Sequence, residues 1–509
     1  MTDDKRIRTI AVVGGGTAGW LAASVLARAL PAGPSITVIE SPEVGTVGVG
    51  EATIPPFMEL LRFLDIDEAD FVRRTGATYK LGIRYRDWRR IGHLYWHPFG
   101  TFGTTIDRRP FYHHWQKAKA AGRAPRVIDY SLCAALGTER KFRFPAPASR
   151  GSAAGVRYAL HFDAGLVAGY LREQALKRGV TRLQRTVVTA TQRADGFLEE
   201  LVFADGGRLT ADLYIDCSGF RGVLIEQILE TGYIDWGDHL PCDRAVAVPT
   251  AVSGPRPPYT EASARPAGWH WRIPLQHRIG NGYVYSSRHA SDAAALEDLL
   301  AQIGDPIAEP RLLRFTAGRR RRFWSRNCVA LGLASGFLEP LESTSIQLMV
   351  SGLYNLLDHF PDRHFDQANV DSYNAELAEE MERIRDFLVL HYCLTQRDDA
   401  PFWQERRAAR LPQSLVERID LYRGTGRIRP GPRELFTDLS WFFILEGLGL
   451  EPASLDPLID EAALARAWPV MLALRADVER EMRAAPTHDS HFASGGSASP
   501  APAASRKTG

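Results

Sequence analysis

The 509-residue chain carries 62 Lys and Arg against 60 Asp and Glu, a formal charge of +2, with 45% hydrophobic residues. That length is enough for roughly two to four domains, or one large enzyme core with a satellite, and it can bury a core without disulfide or metal staples. The balanced charge excludes the basic footprint of a bulk DNA- or RNA-binding protein. Only seven basic residues are lysine (Lys5, Lys80, Lys117, Lys119, Lys141, Lys177 and Lys507), against 55 arginines, so each lysine is worth inspecting singly. The five cysteines are scattered without a CxxC pair. This pattern points to a reducing compartment and away from a zinc site or disulfide framework.

In chain order, residues 8–13 (RTIAVV) read as a short buried strand, Thr17 to Leu30 as an Ala- and Leu-rich helix, and Ser35 to Glu40 as a second strand. The uncharged run Thr9–Ala27 follows a basic start, as in a signal peptide, but Gly14, Gly15 and Gly16 in its middle suit neither an h-region nor a spanning helix. A soluble, cytoplasmic protein is expected. Gly14-Gly15-Gly16-Thr17-Ala18-Gly19 spells GxGxxG between strand and helix, where backbone N–H groups can approach a pyrophosphate. Glu40 closes the second strand, placed to hold a ribose hydroxyl pair. Strand, helix and acidic residue in register predict a dinucleotide site; a glycine-rich turn that binds nothing is the plain alternative.

To about residue 340, strand-like runs (LYIDCSGF, YVYSS, NCVALGLA) alternate with Gly/Pro turns. Asp216-Cys217-Ser218-Gly219 and Asn327–Gly336 are strand-turn units far from the glycine motif, the layout of a chain that revisits a flavin, and they favour FAD over NAD. From Ser343 the pattern becomes helical (IQLMVSGLYNLLDHF, NAELAEEMERIRDFLVLHYCL, LPQSLVERIDLY), so a helical region is expected to pack onto an α/β body. The Arg319–Arg322 run reads as a solvated hairpin rather than a phosphate or reductase patch. The Ser/Ala/Pro/Gly-rich end, from about Pro486, is expected to be a disordered tail.

Three further stretches resemble the flavin-dependent tryptophan halogenases: Gly48–Pro55 (GVGEATIP), Gly268–Pro274 (GWHWRIP, a Trp-x-Trp-x-Ile-Pro motif at Trp269, Trp271, Ile273 and Pro274) and Pro340–Ile346 (PLESTSI). The similarity runs to about residue 450 and takes in HFDA at His161–Ala164 and the segment HYCLTQRDDAPFW. The resemblance implies a mixed α/β fold with a FAD-binding, Rossmann-type, monooxygenase-like body over residues 1–342, a mostly helical substrate-side region over 343–485, and the tail from 486. It implies Ala52, Val187, Leu333 and Ile346 as flavin contacts beside the glycine motif and Glu40. The implied chemistry is two-component: FADH2 from a separate flavin reductase, with oxygen and chloride or bromide, gives hypohalous acid. Lys80, in the match ATYKLGI, then positions the oxidant, and Glu342 assists.

A lysine in an apolar channel has its pKa lowered from about 10.4, which frees an amine; arginine stays protonated. The plain reading of Lys80 is a surface lysine on an edge strand, and that of Glu342 a carboxylate at a helix start. Thr344 and Ser345 open the following helix and are the implied halide residues; Ser345 replaces the family's usual glycine, from which a shift toward bromide is inferred. Trp269 and Trp271, on one strand face, are ordinary core by themselves; the resemblance puts them beside the flavin, keeping substrate off it. His97 and Phe99 match the pair that flanks the substrate ring. Residues 421–445 lack the Tyr-Tyr pair that closes over free tryptophan in the family, so an indole or another electron-rich aromatic is the expected substrate. A homodimer is left open as the assembly. The alternatives are a flavin monooxygenase that hydroxylates an aromatic, and a FAD-binding redox or assembly protein with no reaction of its own.

Overall fold

The structure, a computed structural model, describes residues 5–43, 50–146, 151–429, 431 and 434–492. Gly48 and Val49 of the GVGEATIP stretch therefore lie outside the described residues, as do residues 493–509.

The apolar strand Thr9–Val13 is central to a six-stranded sheet. It pairs in parallel with Ser35–Glu40 on one side and Leu213–Asp216 on the other, and the sheet continues to Thr181–Gln184 and to Cys328–Ala330. A parallel sheet is buried on both faces, which is why these strands read as unbroken apolar runs. The helix Thr17–Ala29 returns over it, so the βαβ opening is observed within one residue of its expected bounds. The register sets Val13 opposite Asp216 and Asp216 opposite Ala330. Three strand ends therefore emerge together at the glycine turn, where ligands bind in open parallel sheets.

A seven-stranded sheet forms the second layer, in the order Arg311–Arg314, Arg244–Thr250, Ile279–Tyr285, Gly268–Pro274, Thr260–Arg265, Gly82–Arg86 and Leu94–Pro98. Its pairs are antiparallel except Thr260–Arg265 with Gly82–Arg86. A small three-stranded sheet, Gly50–Ala52, Ala159–Asp163 and Thr78–Lys80, bridges the two layers.

From Ser345 the chain is helical as expected: Ser345–Asp358, the 27-residue Gln367–Cys393, Pro401–Ala408, Gln413–Thr425, Asp438–Gly447 and Glu461–Ala484. The core is dense in aromatic rings where these helices meet the large sheet. Trp88 packs on Trp269, Tyr392 and Trp403 there. No helix among the described residues is long and apolar enough to cross a membrane.

Two readings need correction. Arg319 and Arg320 are not a solvated hairpin: they are buried, paired with Glu382 and Glu226, and laid over Trp236 and Tyr233. Nor does a loose tail begin at Pro486. Thr487 pairs with Lys141, residues His488–His491 form a 3-10 turn, and His488 is fully buried. Composition hid this because the anchors are two histidines and one phenylalanine just ahead of the Ser/Ala-rich run.

Candidate active site

The nucleotide end is built from backbone. Gly14 has φ +127°, and a Cβ on it would lie 2.2 Å from the Cys217 carbonyl oxygen. A Cβ on Gly19 would fall 1.8 Å from the Gly14 carbonyl oxygen, so only glycine lets helix and turn approach this closely. A Cβ on Gly16, by contrast, would meet nothing within 4 Å among the described residues. Gly16 is the N-cap of Thr17–Ala29, whose start has neither a side-chain cap nor an acidic residue in its first turn. Open space in front of a helix N-terminus without a side-chain cap fits a pyrophosphate. These residues therefore fit a dinucleotide.

Asp216 stiffens the facing turn by accepting hydrogen bonds from the N–H groups of Ser218, Leu224 and Ile225 at 2.8–2.9 Å. The Glu40 carboxylate lies against Gly15, pairs with Arg182 and accepts from Trp20 Nε1 at 3.3 Å. Arg182 is a neighbour that sequence reading did not supply. Thr17 donates to the Ala164 carbonyl at 3.3 Å, and a Cβ on Gly332 would press on Ala18. Leu333 is in the turn that this brings onto the glycine-motif helix, and Ile346 is buried on the next helix. Ala52 is buried on the bridging sheet, and Val187 packs against the buried cluster that includes Val13, Ile39 and Ala330.

Lys80 ends the strand Thr78–Lys80 and is completely buried. Its Nζ donates to the Thr53 carbonyl at 3.0 Å and to Ser343 Oγ at 2.8 Å, and stands 5.3 Å from the centre of the Phe99 ring. Burial lowers its pKa from 10.5 to about 7, against the opposing pull of Glu342. The surface-lysine reading thus fails, and Tyr79 points to the other side, as strand alternation requires.

Glu342 is equally buried and is caged by three side chains. The Tyr85 hydroxyl donates to Oε1 at 2.5 Å, His97 Nδ1 lies 2.8 Å from Oε2, and His391 Nε2 lies 2.9 Å from Oε1. Burial alone would raise the Glu342 carboxyl, but His97 and then His391 outweigh it and hold it well below the usual carboxylate range. Between the two ionisable groups, Ser343 turns the chain through the left-handed region at φ +59°. Thr344 then caps the helix Ser345–Asp358; it is fully buried, and its Oγ1 has no hydrogen-bond partner among the described residues. Ser345 is half-buried in the first turn.

His97 and Phe99 are thus brought to the same place as Lys80 and Glu342. His97 also faces Phe387 and Phe436, which stack at 3.9 Å, and Leu435 packs with Phe99 and Ile54. Trp269 and Trp271 are buried 6.3 Å apart, the former against Trp88 and the latter over Gly282. Ile273 faces Gly50, and the Pro274 carbonyl accepts from Thr78 Oγ1 at 2.6 Å, which ties the motif to the lysine's strand. Sequence reading missed Thr53, Tyr85, Phe436 and His391 as parts of the site, and it placed Ser343 at the helix start without pairing it to Lys80. Two of those four, Thr53 and His391, lie inside stretches already marked as similar, so the signal for them was available. Among the described residues no group of three His, Cys, Asp or Glu could hold a metal, and the five cysteines are free.

A turn that fits a dinucleotide and a buried amine and carboxylate on one α/β body have the character of an enzyme site, and comparison with known proteins specifies which kind. A tryptophan halogenase family model matches residues 9–464. The tryptophan 6-halogenase ThaL of Streptomyces albogriseolus is 36% identical over 486 residues, 88% of this chain and 91% of the relative. The tryptophan 7-halogenase RebH of Lentzea aerocolonigenes is 35% identical over 492 residues, 89% of this chain and 91% of the relative. Among solved structures, BrvH, a flavin-dependent halogenase from Brevundimonas sp. BAL3, superposes with a TM-score of 0.92 at 42% identity, covering 96% of this chain and all of that one. The chain belongs to the flavin-dependent tryptophan halogenase family, whose members are oxidoreductase enzymes.

Proposed function

We propose that this protein is a two-component halogenase that transfers oxidised halogen to an electron-rich aromatic of the indole type, using FADH2 supplied by a separate reductase. The observation that carries the reading is the Lys80–Ser343–Glu342 arrangement, in which a buried amine with a pKa near 7 is joined through one residue to a caged carboxylate. Reduced FAD, when bound at the glycine turn, supplies hypohalous acid from oxygen and halide. Lys80 offers a partly neutral amine to that oxidant in a pocket closed to bulk water. Glu342, kept ionised, stabilises positive charge on the attacked ring and takes the proton that the halogen displaces; water is the other product. The N-terminus of Ser345–Asp358, with the Thr344 hydroxyl that has no partner among the described residues, is a donor-rich place for halide, and Ser345 adds a side chain there where the family usually has glycine.

The wall of Leu435, Phe436 and Phe387 beside His97 is apolar, which favours an indole without an amino-acid head over free tryptophan.

The test is incubation with FAD, a reductase, NADH, oxygen, bromide and indole, followed by product mass. A halogen isotope pattern supports the reading. An added oxygen atom makes the protein a hydroxylase, and no product across a panel of indoles and free tryptophan overturns the reading.

A further inference from the structure

The strand that carries Lys80 is short and lies at the edge of its sheet. Thr78–Lys80 pairs with Ala159–Asp163 on one side only, and an edge strand leaves N–H groups without ladder partners. Three residues on one ladder are a weak anchor for a side chain that has to be held to a fraction of an ångström.

The other side is occupied by the end of the described chain. After the helix Glu461–Ala484, the Pro486 carbonyl accepts from the Phe142 N–H at 3.2 Å, and the His488 N–H donates to the Arg140 carbonyl at 2.9 Å. This turns the His488 imidazole inward, where it is fully buried. Its Nε2 accepts the Tyr79 N–H at 3.2 Å, and its Nδ1 lies 2.9 Å from the Arg256 carbonyl oxygen. The two bonds fix the tautomer: Nδ1 carries the proton and Nε2 offers the lone pair. Burial first, then His491 and Arg256, lower this imidazole to about 4 against the opposing Arg256 carbonyl and Asp489, so the lone pair persists at neutral pH.

Asp489 in turn receives the Arg256 N–H at 3.2 Å and its guanidinium at 2.7 Å, which holds the accepting carbonyl in place. The Tyr79 ring stacks on Phe142 at 4.3 Å and on Phe492 at 5.7 Å. The rings that grip Tyr79 lie on the face opposite Lys80 and His488 holds its N–H at the open edge, so the two together set the backbone from which the amine projects toward Ser343.

We infer that Pro486–Phe492 is a clip that positions the catalytic lysine, with His488 as its positioning residue. The inference rests on the role proposed for Lys80, so the experiment carries Lys80→Ala as a parallel arm. His488→Ala and His488→Gln are made in the full chain and assayed with bromide and indole for brominated product, for free hypohalous acid caught by a dimedone-type trap, and for FAD affinity. Gln can return an acceptor to the Tyr79 N–H.

The expected result for His488→Ala is a kcat for product about ten- to a hundredfold lower, since about 1 Å of misplacement costs that much. KM and FAD affinity stay unchanged, and trapped oxidant rises as product falls. His488→Gln recovers most of the product. The clip is overturned if His488→Ala makes product at the wild-type rate while Lys80→Ala does not. It is equally overturned if product, oxidant and FAD binding fall together in both His488 variants, which is loss of fold. Product retained in Lys80→Ala instead refutes the role of the lysine itself.

Discussion

Replacing Lys80 by methionine is expected to stabilise the fold while abolishing halogenation. The side chain is fully buried, and burial lowers its pKa from 10.5 to about 7. The unfolded chain protonates that amine below about 10.4, the folded chain only below about 7. Between those values the unfolded state binds one more proton, so the contribution of Lys80 to stability becomes more favourable as pH rises. Well below pH 7 the whole penalty is present, about 5 kcal/mol at 1.36 kcal/mol per tenfold change; at pH 7, where the folded amine is half-titrated, about 4 kcal/mol is present, and at pH 9 about 2 kcal/mol remains.

Methionine removes that term and leaves the Thr53 carbonyl and Ser343 Oγ without their donor, a loss of about 1–3 kcal/mol that does not depend on pH. Lys80→Met should therefore be more stable than wild type at pH 7, and the gap should shrink by about 2 kcal/mol by pH 9. Urea denaturation of both proteins at the two pH values measures this directly, because groups common to both cancel. A gap of equal size at pH 7 and pH 9 would refute a neutral, desolvated amine and with it the reason a lysine is needed here.

Glu342→Gln should lower product formation about 10²–10⁴-fold. Because the Glu342 carboxyl is held below its ordinary range, it contributes stability above about pH 4.3 that is lost as pH falls, and acid denaturation of the Gln variant should lack that slope; an identical acid limb contradicts the cage. Gly16→Ser should fold normally yet bind FAD more weakly, because its side chain enters the open space before the helix, whereas Gly19→Ala drives a Cβ into the Gly14 carbonyl and should lose both fold stability and FAD. Flavin fluorescence and circular dichroism separate these two, and FAD affinity unchanged in Gly16→Ser would place the pyrophosphate elsewhere. Ser345→Gly should move the product ratio toward chloride when equal chloride and bromide compete. A wild-type enzyme that already prefers chloride removes the basis for that reading.

The parts legible in the sequence were those written in local pattern. The run TIAVV, the glycines after it and SITVIE are contiguous, so strand, turn, helix and strand could be read with bounds that the structure reproduces within a residue or two. Lys80 and Glu342 were legible only through the resemblance. Lys80 bonds Ser343 across 263 positions, and no periodicity encodes such a meeting. Tyr85 went unremarked and His391 stood only within the similar segment HYCLTQRDDAPFW, because each is an aromatic ring on a buried face; only the fold turns both toward one carboxylate. The arginine pair 319–320 was misread for a related reason. A charge run signals solvent unless its partners are known, and Glu226 and Glu382 come from distant segments.

The Glu342–Thr344 turn explains how one short stretch meets three demands. Glu342 turns to Tyr85, His97 and His391; Ser343 turns the opposite way to receive the lysine; Thr344 begins the helix whose N-terminus faces the proposed halide position. Three successive side chains diverge this far only if the backbone reverses locally, which the left-handed Ser343 does at φ +59°. Glycine would adopt that conformation without the roughly 1–2 kcal/mol that it costs an L-residue. It would also leave the Lys80 amine, buried and short of partners, without the hydroxyl that fixes its direction. A serine in a glycine's conformation is thus the compromise that the chemistry imposes on the fold. The strain is local, and it lies where the amine has to be held neutral enough to react and the carboxylate kept charged.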